Sequence, residues 1–512
     1  MRLGERALAT LLLFLFQMKQ CETLPFARRM LFGRGDGGLC PTLPTEEPFE
    51  IDSDDTGSAT FDQILDHFAK DGKKDFWKQK YFFNKAFADG SGINFLVLGG
   101  EAPFDVNRIQ SSRSPFVEYA RDFNATLYGL EHRFYGASRP TSNLSMENLS
   151  LLTSQQALED IAYFISVINA NEASPQKWIV FGGSYAGVLT LRFREKFPDV
   201  VLGAVSSSAP LRAQLDFDQY LGVVADDVKN YDDAHPEGIG CSKQIRDAVA
   251  TIERRMQSEE GRKTLDDAFK IRPALFNISA NGNNVALFFQ SLQSRFLDAA
   301  QYDGVTGIAA VCDIMAKPGD EDSVARLRRV QLYPHGSPAD ETDVYFNELI
   351  DMLMNTEWSD DDRDQNSNSL RSWTWQLCME FGWFLTTNGR GRHGLFGTTL
   401  PSNLFLIVCN RVFQQDTRRI SNSVDRANSR YGERAYFTGT NIVATHGTHD
   451  PWHPLAKQRS LHQSVAVFAI KDGTHCRDEL PANGDSSVEL AQQLIRANLD
   501  RWLHGPPNPD KE

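Results

Sequence analysis

Positive charge is in short supply in this chain of 512 residues: 53 lysines and arginines stand against 67 aspartates and glutamates, a formal net charge of -14. Binding a nucleic acid needs a basic surface that neutralises phosphates, so we expect no nucleic-acid partner. Long apolar runs are also missing beyond the N-terminus. Because a helix needs about 20 apolar residues to cross a bilayer, we expect no stable membrane anchor.

Metal and redox motifs are missing as well. None of the seven cysteines forms a Cys-x-x-Cys pair, and no His-Glu-x-x-His motif occurs. His446, His449 and His453 surround Asp450 and offer a metal-site alternative, but no helix or strand spacing brings all three to one point. We therefore expect neither a metal nor a cofactor.

The N-terminus has the pattern of a secretory signal. Arg2 and Arg6 precede an apolar run at 7–16, which is too short for a membrane span. We predict a cleaved signal peptide at 1–22 and a leader or propeptide at 23–58, which is rich in Gly, Pro and acidic residues. The chain would then enter the secretory pathway and reside outside the cell, in a lysosome or in a vacuole.

That route permits glycans and disulfides. Four sequons make Asn124, Asn143, Asn148 and Asn277 candidate glycosylation sites. Six cysteines follow the predicted signal peptide and can form disulfides in an oxidising compartment. Their spacing alone leaves all 15 pairings open.

Strand-like and helix-like segments alternate in two separate parts of the chain. Apolar runs at 93–98, 125–130 and 178–181 alternate with helical spacing such as that at 155–170, and strand patterns return at 441–444 and 465–470. Such alternation favours a parallel sheet covered by helices.

The segment between these two parts has mostly the apolar spacing of helices. We expect one sheet split by an insertion, because the last strands need partners. The predicted α/β domain therefore occupies 59–209 and 433–512, and a helical cap occupies 210–432.

The strongest chemical motif is Gly-Gly-Ser-Tyr-Ala-Gly at 182–187, where an apolar strand runs into a helix start. A serine hydroxyl is a weak nucleophile that must be exposed on a sharp strand-to-helix turn, which small neighbours permit. The helix N-terminus favours developing negative charge. The motif predicts Ser184 as a nucleophile, although Ala186 stands where the general G-x-S-x-G pattern has glycine. The alternative is a structural or phosphate-binding glycine turn.

A serine nucleophile needs a base and an orienting carboxylate. In α/β-hydrolases these follow the serine in the order acid, then histidine, each on a loop after a strand. Asp450 and His475 fill these places after the runs at 441–444 and 465–470. Asp472, on the same loop as His475, is the alternative acid.

The oxyanion of an acyl-transfer reaction needs backbone donors. The amide of Tyr185, directly after the serine, is one candidate, and Gly99 or Gly100, after an early strand, supplies the second. Glu101 follows them and has two interpretations: it binds a substrate amino group, or it is only a carboxylate at a helix start.

Several of these stretches resemble the serine peptidases of family S28, in order and over about residues 60–505. They are the motif at 182–187, Glu-His-Arg-Phe-Tyr-Gly at 131–136, Asp-Pro-Trp at 450–452 and Gly-Thr-His-Cys at 473–476. Within that family the resemblance is closest to the thymus-specific serine protease branch, rather than to the prolyl carboxypeptidase and dipeptidyl peptidase II branches.

The resemblance implies a triad of Ser184, Asp450 and His475 in an α/β-hydrolase fold, capped by a helical domain known as SKS. The segment 373–382 resembles a part of that cap. It further implies the disulfides Cys241–Cys312 and Cys378–Cys409.

The implied activity is removal of residues from the ends of short peptides, commonly after proline. Trp452 would line the substrate pocket or pack beneath its loop. The stretch at 476–480 departs from the prolyl carboxypeptidase and dipeptidyl peptidase II pattern, which leaves proline preference and the direction of trimming open.

We therefore predict a serine-type exopeptidase with peptide substrates. The alternatives are a secreted esterase or lipase of the same fold and a catalytically silent binding protein on a hydrolase scaffold. The oligomeric state stays open, a homodimer included.

Overall fold

The structure is a computed structural model. It describes residues 40–41, 55–70, 72, 74–277, 282–334, 336, 340–359, 362–388, 394–431, 437–460 and 462–505. The predicted signal peptide at 1–22 lies outside these residues, and so does most of the predicted leader. The chain divides into two compact units.

The first unit, here called the sheet unit, contains the described residues within 40–214, 375–382 and 420–505. Its centre is an eight-stranded sheet in the order β1-β2-β4-β3-β5-β6-β7-β8. Strand β2 runs in the direction opposite to the other seven strands. The strands are β1 (Thr56–Ile64), β2 (Phe76–Asn84), β3 (Ile93–Leu98), β4 (Thr126–Leu130), β5 (Lys177–Gly183), β6 (Gly203–Ser207), β7 (Ile442–Gly447) and β8 (Val465–Ile470).

The central strands are apolar because both faces of the sheet are covered. All six residues of β3 are buried, as expected for a parallel strand between helices. Phe95 and Phe181 from neighbouring strands belong to one hydrophobic core cluster with Phe116 of one flanking helix and Ile495 of another. The strand predictions at 93–98 and 465–470 are confirmed to the residue.

The first two strands were not predicted. In β1 buried and exposed residues mix, so the strand lacks the continuous apolar run that marks the buried parallel strands. Because β1 begins at Thr56, it overlaps the predicted leader at 23–58 by three residues.

Helices flank the sheet on the expected segments. Helix Ser154–Asn169 starts at Thr153, whose side-chain oxygen accepts a hydrogen bond from the Gln156 amide. The remaining helices of this unit are Asn107–Gln110, Pro115–Asp122, Met146–Leu149, Ser184–Lys196, the π turn Leu377–Phe381, Thr417–Tyr431, the 3-10 turns His453–Leu455 and Arg477–Glu479, and Ser486–His504.

The second unit, here called the helical unit, contains the described residues within 215–374 and 383–419. It holds the disulfide Cys241–Cys312. One pair of short strands in this unit is Ile271–Arg272 with Thr342–Asp343. In a second pair, Gln214–Asp216 with Gly382–Phe384, the first residue of each strand is assigned to the sheet unit. Its helices are Gln219–Ala234, Cys241–Arg255, Glu259–Phe269, Leu275–Asn277, Gly282–Asp298, Ala299–Asp303, Gly304–Ala316, Ser323–Leu332, Phe346–Met354, Asp362–Gln376, Gly394–Phe396 and Asn403–Phe413.

This unit differs in extent from the predicted cap at 210–432. Residues 375–382 and 420–431 fall in that predicted range but belong to the sheet unit. In the part of the chain that the structure describes, no helix combines the length and the apolarity that crossing a membrane requires.

The strand order, the single antiparallel β2 and the serine at the end of β5 together make an α/β-hydrolase fold, as predicted.

Candidate active site

Ser184 lies on a strained turn between β5 and helix Ser184–Lys196. Its φ is +54°, a left-handed conformation that costs a residue with a side chain about 1–2 kcal/mol. The hydroxyl oxygen is buried and, among the described residues, has no hydrogen-bond partner. A strained residue with an uncommitted buried hydroxyl fits the role of a nucleophile.

The glycines of this turn have separate packing reasons. A Cβ at Gly182 would lie 2.6 Å from the Ala186 carbonyl oxygen, and one at Gly187 would lie 2.9 Å from the Ser207 carbonyl oxygen. The helix therefore packs closely on β5 at Gly182 and on the end of β6 at Gly187.

Asp450 and His475 come together because their loops follow neighbouring parallel strands, β7 and β8. A Cβ at Gly447 would lie 2.0 Å from the Gly473 carbonyl oxygen, so only glycine permits this approach. The His449 amide donates to that same carbonyl at 2.9 Å. The two loops are thus joined along their backbones just before the acid and the histidine.

The Asp450–His475 pair is fully buried, and His475 Nδ1 lies 2.8 Å from Asp450 Oδ1. The same carboxylate oxygen accepts the Trp452 amide at 2.9 Å. Burial works to raise the pKa of Asp450, but the charge and hydrogen bond of His475, together with hydrogen bonds from the Trp452 amide and Ser208, outweigh it, and the net direction is down. An ionised Asp450 only accepts hydrogen bonds, so Nδ1 carries a hydrogen, and in the neutral ring Nε2 has the lone pair that can accept a proton.

The alternative acid lies elsewhere. Asp472 is largely exposed and pairs with His449 at 3.5 Å. His475 Nε2 is buried and, like the Ser184 hydroxyl, has no hydrogen-bond partner among the described residues. The two atoms that a serine hydrolase needs for its first proton transfer therefore do not hydrogen-bond to each other in this structure, and each is uncommitted.

The predicted oxyanion donors need one correction. The Gly99 amide donates to the Leu130 carbonyl at 2.8 Å, so it extends the sheet and is not available to a substrate. Gly100 stays a candidate, since a Cβ there would lie 3.6 Å from the Ala186 amide nitrogen, in the first turn of the serine helix. Tyr185 lies in the same turn, where helix amides have no intrahelical acceptor.

The Tyr185 side chain is anchored in a buried hydrogen-bond chain that the sequence did not indicate. Gln376 Nε2 donates to the Tyr185 hydroxyl at 2.8 Å, and Gln376 Oε1 accepts from Tyr135 at 2.5 Å. His132 Nδ1 donates to the Arg133 carbonyl at 2.7 Å, which leaves Nε2 to accept from Tyr185 at 3.1 Å. Burial lowers the pKa of His132 to about 4, so the ring is neutral.

The motif at 131–136 is therefore scaffold. Arg133 forms two hydrogen bonds of 2.6 Å with the buried Asp160. Glu131 accepts hydrogen bonds from the Ala137 amide and the Ser138 hydroxyl, at 3.0 and 2.8 Å. These contacts fix the loop after β4.

Glu101 and Trp452, the predicted substrate contacts, are both buried. Glu101 follows Gly100. The pKa of Tyr185 is raised mainly by burial and then by the charge of Glu380, and the charge of Glu101 adds a smaller effect in the same direction. The Trp452 ring lies 6.1 Å from the His475 ring, centre to centre. The position of the buried ring is compatible with both predicted roles of Trp452, lining the substrate pocket and packing beneath its loop.

A disulfide that the sequence did not identify joins Cys40 to Cys476, next to His475. The pair Cys241–Cys312, implied by the family resemblance, is present, and Cys378 and Cys409 are also disulfide-bonded. Nothing in the spacing could have selected Cys40, because the pairing spans 436 residues.

A partly buried ion pair lies in the same region. Arg108 donates to a carboxylate oxygen of Glu479, and a Cβ at Gly183 would lie 2.7 Å from both oxygens of that carboxylate. Burial raises the pKa of Glu479 to about 7, against the opposing charge of Arg108; Asp478 and His475 also act on it.

The alternative metal site receives no support from the geometry. In the described ranges, the group that could converge on an ion is Cys40, His475 and Cys476, and both sulfurs are held in a disulfide. The ring of His446 stacks on that of His453, whose Nδ1 bonds to the Asp450 carbonyl oxygen.

The sequons differ in their accessibility. Asn124 is exposed. Asn148 is half-buried, and its Nδ2, the atom that would carry a glycan, donates to both oxygens of Asn143. Asn277 ends a 3-10 turn, and its side chain lies outside the description. Asn124 is therefore the best placed of the four.

The chain is similar in sequence to a family of known proteins and can be aligned with solved structures. The family described as serine carboxypeptidase S28 matches residues 63–496. Human thymus-specific serine protease is 31% identical, over 86% of this chain and 86% of that protein. Human lysosomal Pro-X carboxypeptidase is 26% identical over 98% of each. The solved structure of proline iminopeptidase from Mycobacterium smegmatis aligns with a TM-score of 0.37 and 11% identity, over 86% of this chain and 99% of that chain.

The family match spans most of the chain and includes the segments that carry Ser184, Asp450 and His475. The chain is therefore a member of the S28 family of serine peptidases.

Proposed function

We propose that this peptidase removes residues from the carboxyl ends of short peptides, with Ser184 as nucleophile, His475 as base and Asp450 as the orienting acid. The supporting observation is the buried 2.8 Å hydrogen bond between Asp450 and His475 Nδ1. It fixes the imidazole tautomer that can accept a proton at Nε2.

The reaction is acyl transfer. His475 Nε2 takes the proton of Ser184 as the hydroxyl oxygen attacks the peptide carbonyl, and the amides of Tyr185 and Gly100 stabilise the oxyanion. The imidazolium, stabilised by Asp450, then protonates the leaving amine. Water, activated by the same imidazole, releases the acyl group, and the cycle requires no cofactor.

The substrate class rests on the relatives and on two side chains. The family is described as a carboxypeptidase family, and one relative is named a Pro-X carboxypeptidase. We propose cleavage after proline, with the flat ring of Trp452 beside His475 as a surface for the pyrrolidine. For the shortest substrates, in which both ends of the peptide reach the cleft, Glu101 is the proposed contact for the free amino group.

The proposed location is the secretory route, ending outside the cell or in a lysosome. All six cysteines that the structure describes are disulfide-bonded, which fits an oxidising compartment. A relative of similar length is named lysosomal.

Mass-spectrometric profiling of a mixed peptide library tests this function. The expected result is loss of single residues from carboxyl ends, mainly after proline, with no cleavage by Ser184→Ala. Trimming from the amino end, or hydrolysis of acyl esters without any peptide cleavage, contradicts the proposal. Acetylated and free peptides compared in Glu101→Gln test the amino-group contact: KM should rise only for the free peptides.

A further inference from the structure

The Cys40–Cys476 disulfide contacts both parts of the proposed active site. Cys476 directly follows His475, and one ring nitrogen of His475 lies within 4.8 Å of both sulfur atoms. On the other side, a Cβ at Gly183 would lie 2.6 Å from Cys40 Sγ. Because Gly183 precedes Ser184, the bridge lies against the nucleophile turn and the histidine loop at once.

The backbone after His475 needs to be held in place. Cys476 is fully buried with a φ of +53°, in the left-handed region that disfavours residues with a side chain. Its amide donates to the Ser208 hydroxyl at 2.9 Å, at the end of β6. One hydrogen bond and one covalent bond thus fix this residue from two sides.

We infer that the Cys40–Cys476 disulfide is a positioning element, which holds the His475 loop against the Ser184 turn so that the proton can transfer. The inference rests on the proposed function. Its effect is geometric: a misplacement of about 1 Å in a reacting group can cost on the order of a hundredfold in rate. Opening the bridge therefore slows turnover in a protein that is still folded.

A bond that only stabilises the fold predicts something different. Disulfides constrain the unfolded chain, so their loss lowers the free energy of unfolding. Such a loss leaves kcat per folded molecule unchanged. The second bridge, Cys241–Cys312, provides the matched control, since it lies in the helical unit.

The first experiment compares C40A/C476A with C241A/C312A. We expect C40A/C476A to lower kcat about tenfold or more with KM within about twofold, and to slow labelling by a fluorophosphonate by the same factor. The control should lose thermal stability and keep its kcat. A folded C40A/C476A variant with the kcat of the wild type overturns the inference.

The second experiment uses the wild-type protein, so it does not depend on the folding of a variant. Dithiothreitol gives two electrons and two protons to the bridge, becomes its own cyclic disulfide and leaves two thiols. Aliquots quenched with iodoacetamide show by peptide mass which cysteines are open, while activity is read in the unalkylated protein.

Activity should fall as Cys40 and Cys476 open, and should return on reoxidation. Full activity with both thiols open, or a loss that follows Cys241 and Cys312 instead, contradicts the inference. The oxidised wild type separates the two proposals: if it neither cleaves peptides nor reacts with the phosphonate, the proposed function has failed, whatever the disulfide does.

Discussion

Replacement of Asp450 by Asn isolates the contribution of the buried carboxylate to turnover. Opposite unit charges about 4 Å apart interact by about 4 kcal/mol at an effective dielectric constant near 20. When His475 takes the Ser184 proton, its ring becomes positively charged and is attracted by the Asp450 carboxylate. The neutral amide of the Asn variant does not supply this attraction. Since about 1.4 kcal/mol corresponds to a tenfold change in rate, its loss alone lowers kcat about 10³-fold.

The same change also reverses the tautomer. An Asn amide can donate to His475 Nδ1, which moves the ring hydrogen to Nε2 and removes the acceptor that Ser184 needs. We therefore expect kcat to fall by on the order of 10³ to 10⁴, with KM little changed. Steady-state hydrolysis of a peptide substrate, with circular dichroism to confirm folding, measures this.

Asp472→Asn is the matched control, because Asp472 lies on the histidine loop, is largely exposed and pairs with His449. It should retain wild-type kcat. The assignment of the acid is refuted if Asp472→Asn loses activity while Asp450→Asn keeps it.

Three further changes probe the packing around the site. Gly183→Ala should lower the free energy of unfolding by about 1–3 kcal/mol, because the new methyl would overlap Cys40 Sγ and the Glu479 carboxylate; an unchanged urea midpoint would show that this contact is loose. Gln376→Leu should cost about 1–3 kcal/mol in the same titration, since it removes one hydrogen bond from each of two buried phenols, and a neutral result would remove Gln376 as the anchor of Tyr185. The folded-state pKa of Glu479 is raised to about 7, so its stabilising contribution is full below about pH 4.5 and is lost as the pH rises through 7. The melting temperature should therefore rise on acidification from pH 8 to 5, and should rise less in Glu479→Gln. An equal rise of the melting temperature in both proteins would contradict the assignment.

The parts of the fold that were predictable are those in which local pattern and burial agree. The runs at 93–98 and 465–470 are apolar because both faces of those strands are covered, so their bounds could be read directly. Strand β1 could not, since its mixed residues become a strand only by pairing with β2.

The acid and the histidine of the site were predictable for a similar reason. Chain order and parallel strands bring the loops after β7 and β8 to one edge of the sheet, where Asp450 and His475 meet. The hydrogen bond from the Gly99 amide to the Leu130 carbonyl could not be predicted. It depends on the residue at which the pairing of β3 with β4 ends, and no sequence pattern gives that residue.

Contacts between distant segments were beyond the sequence. The Arg108–Glu479 pair joins residues 371 positions apart, and Cys40–Cys476 joins residues 436 apart. Neither charge nor spacing selects these partners among the alternatives, because only the folded chain brings them together.

The mass of the intact protein after reaction with a fluorophosphonate, followed by peptide mapping, tests most directly whether His475 activates Ser184. We expect one phosphonyl group, located on Ser184, and a labelling rate that falls sharply in His475→Ala. A label on another residue, or an unchanged rate without the imidazole, would contradict the claim that His475 activates Ser184.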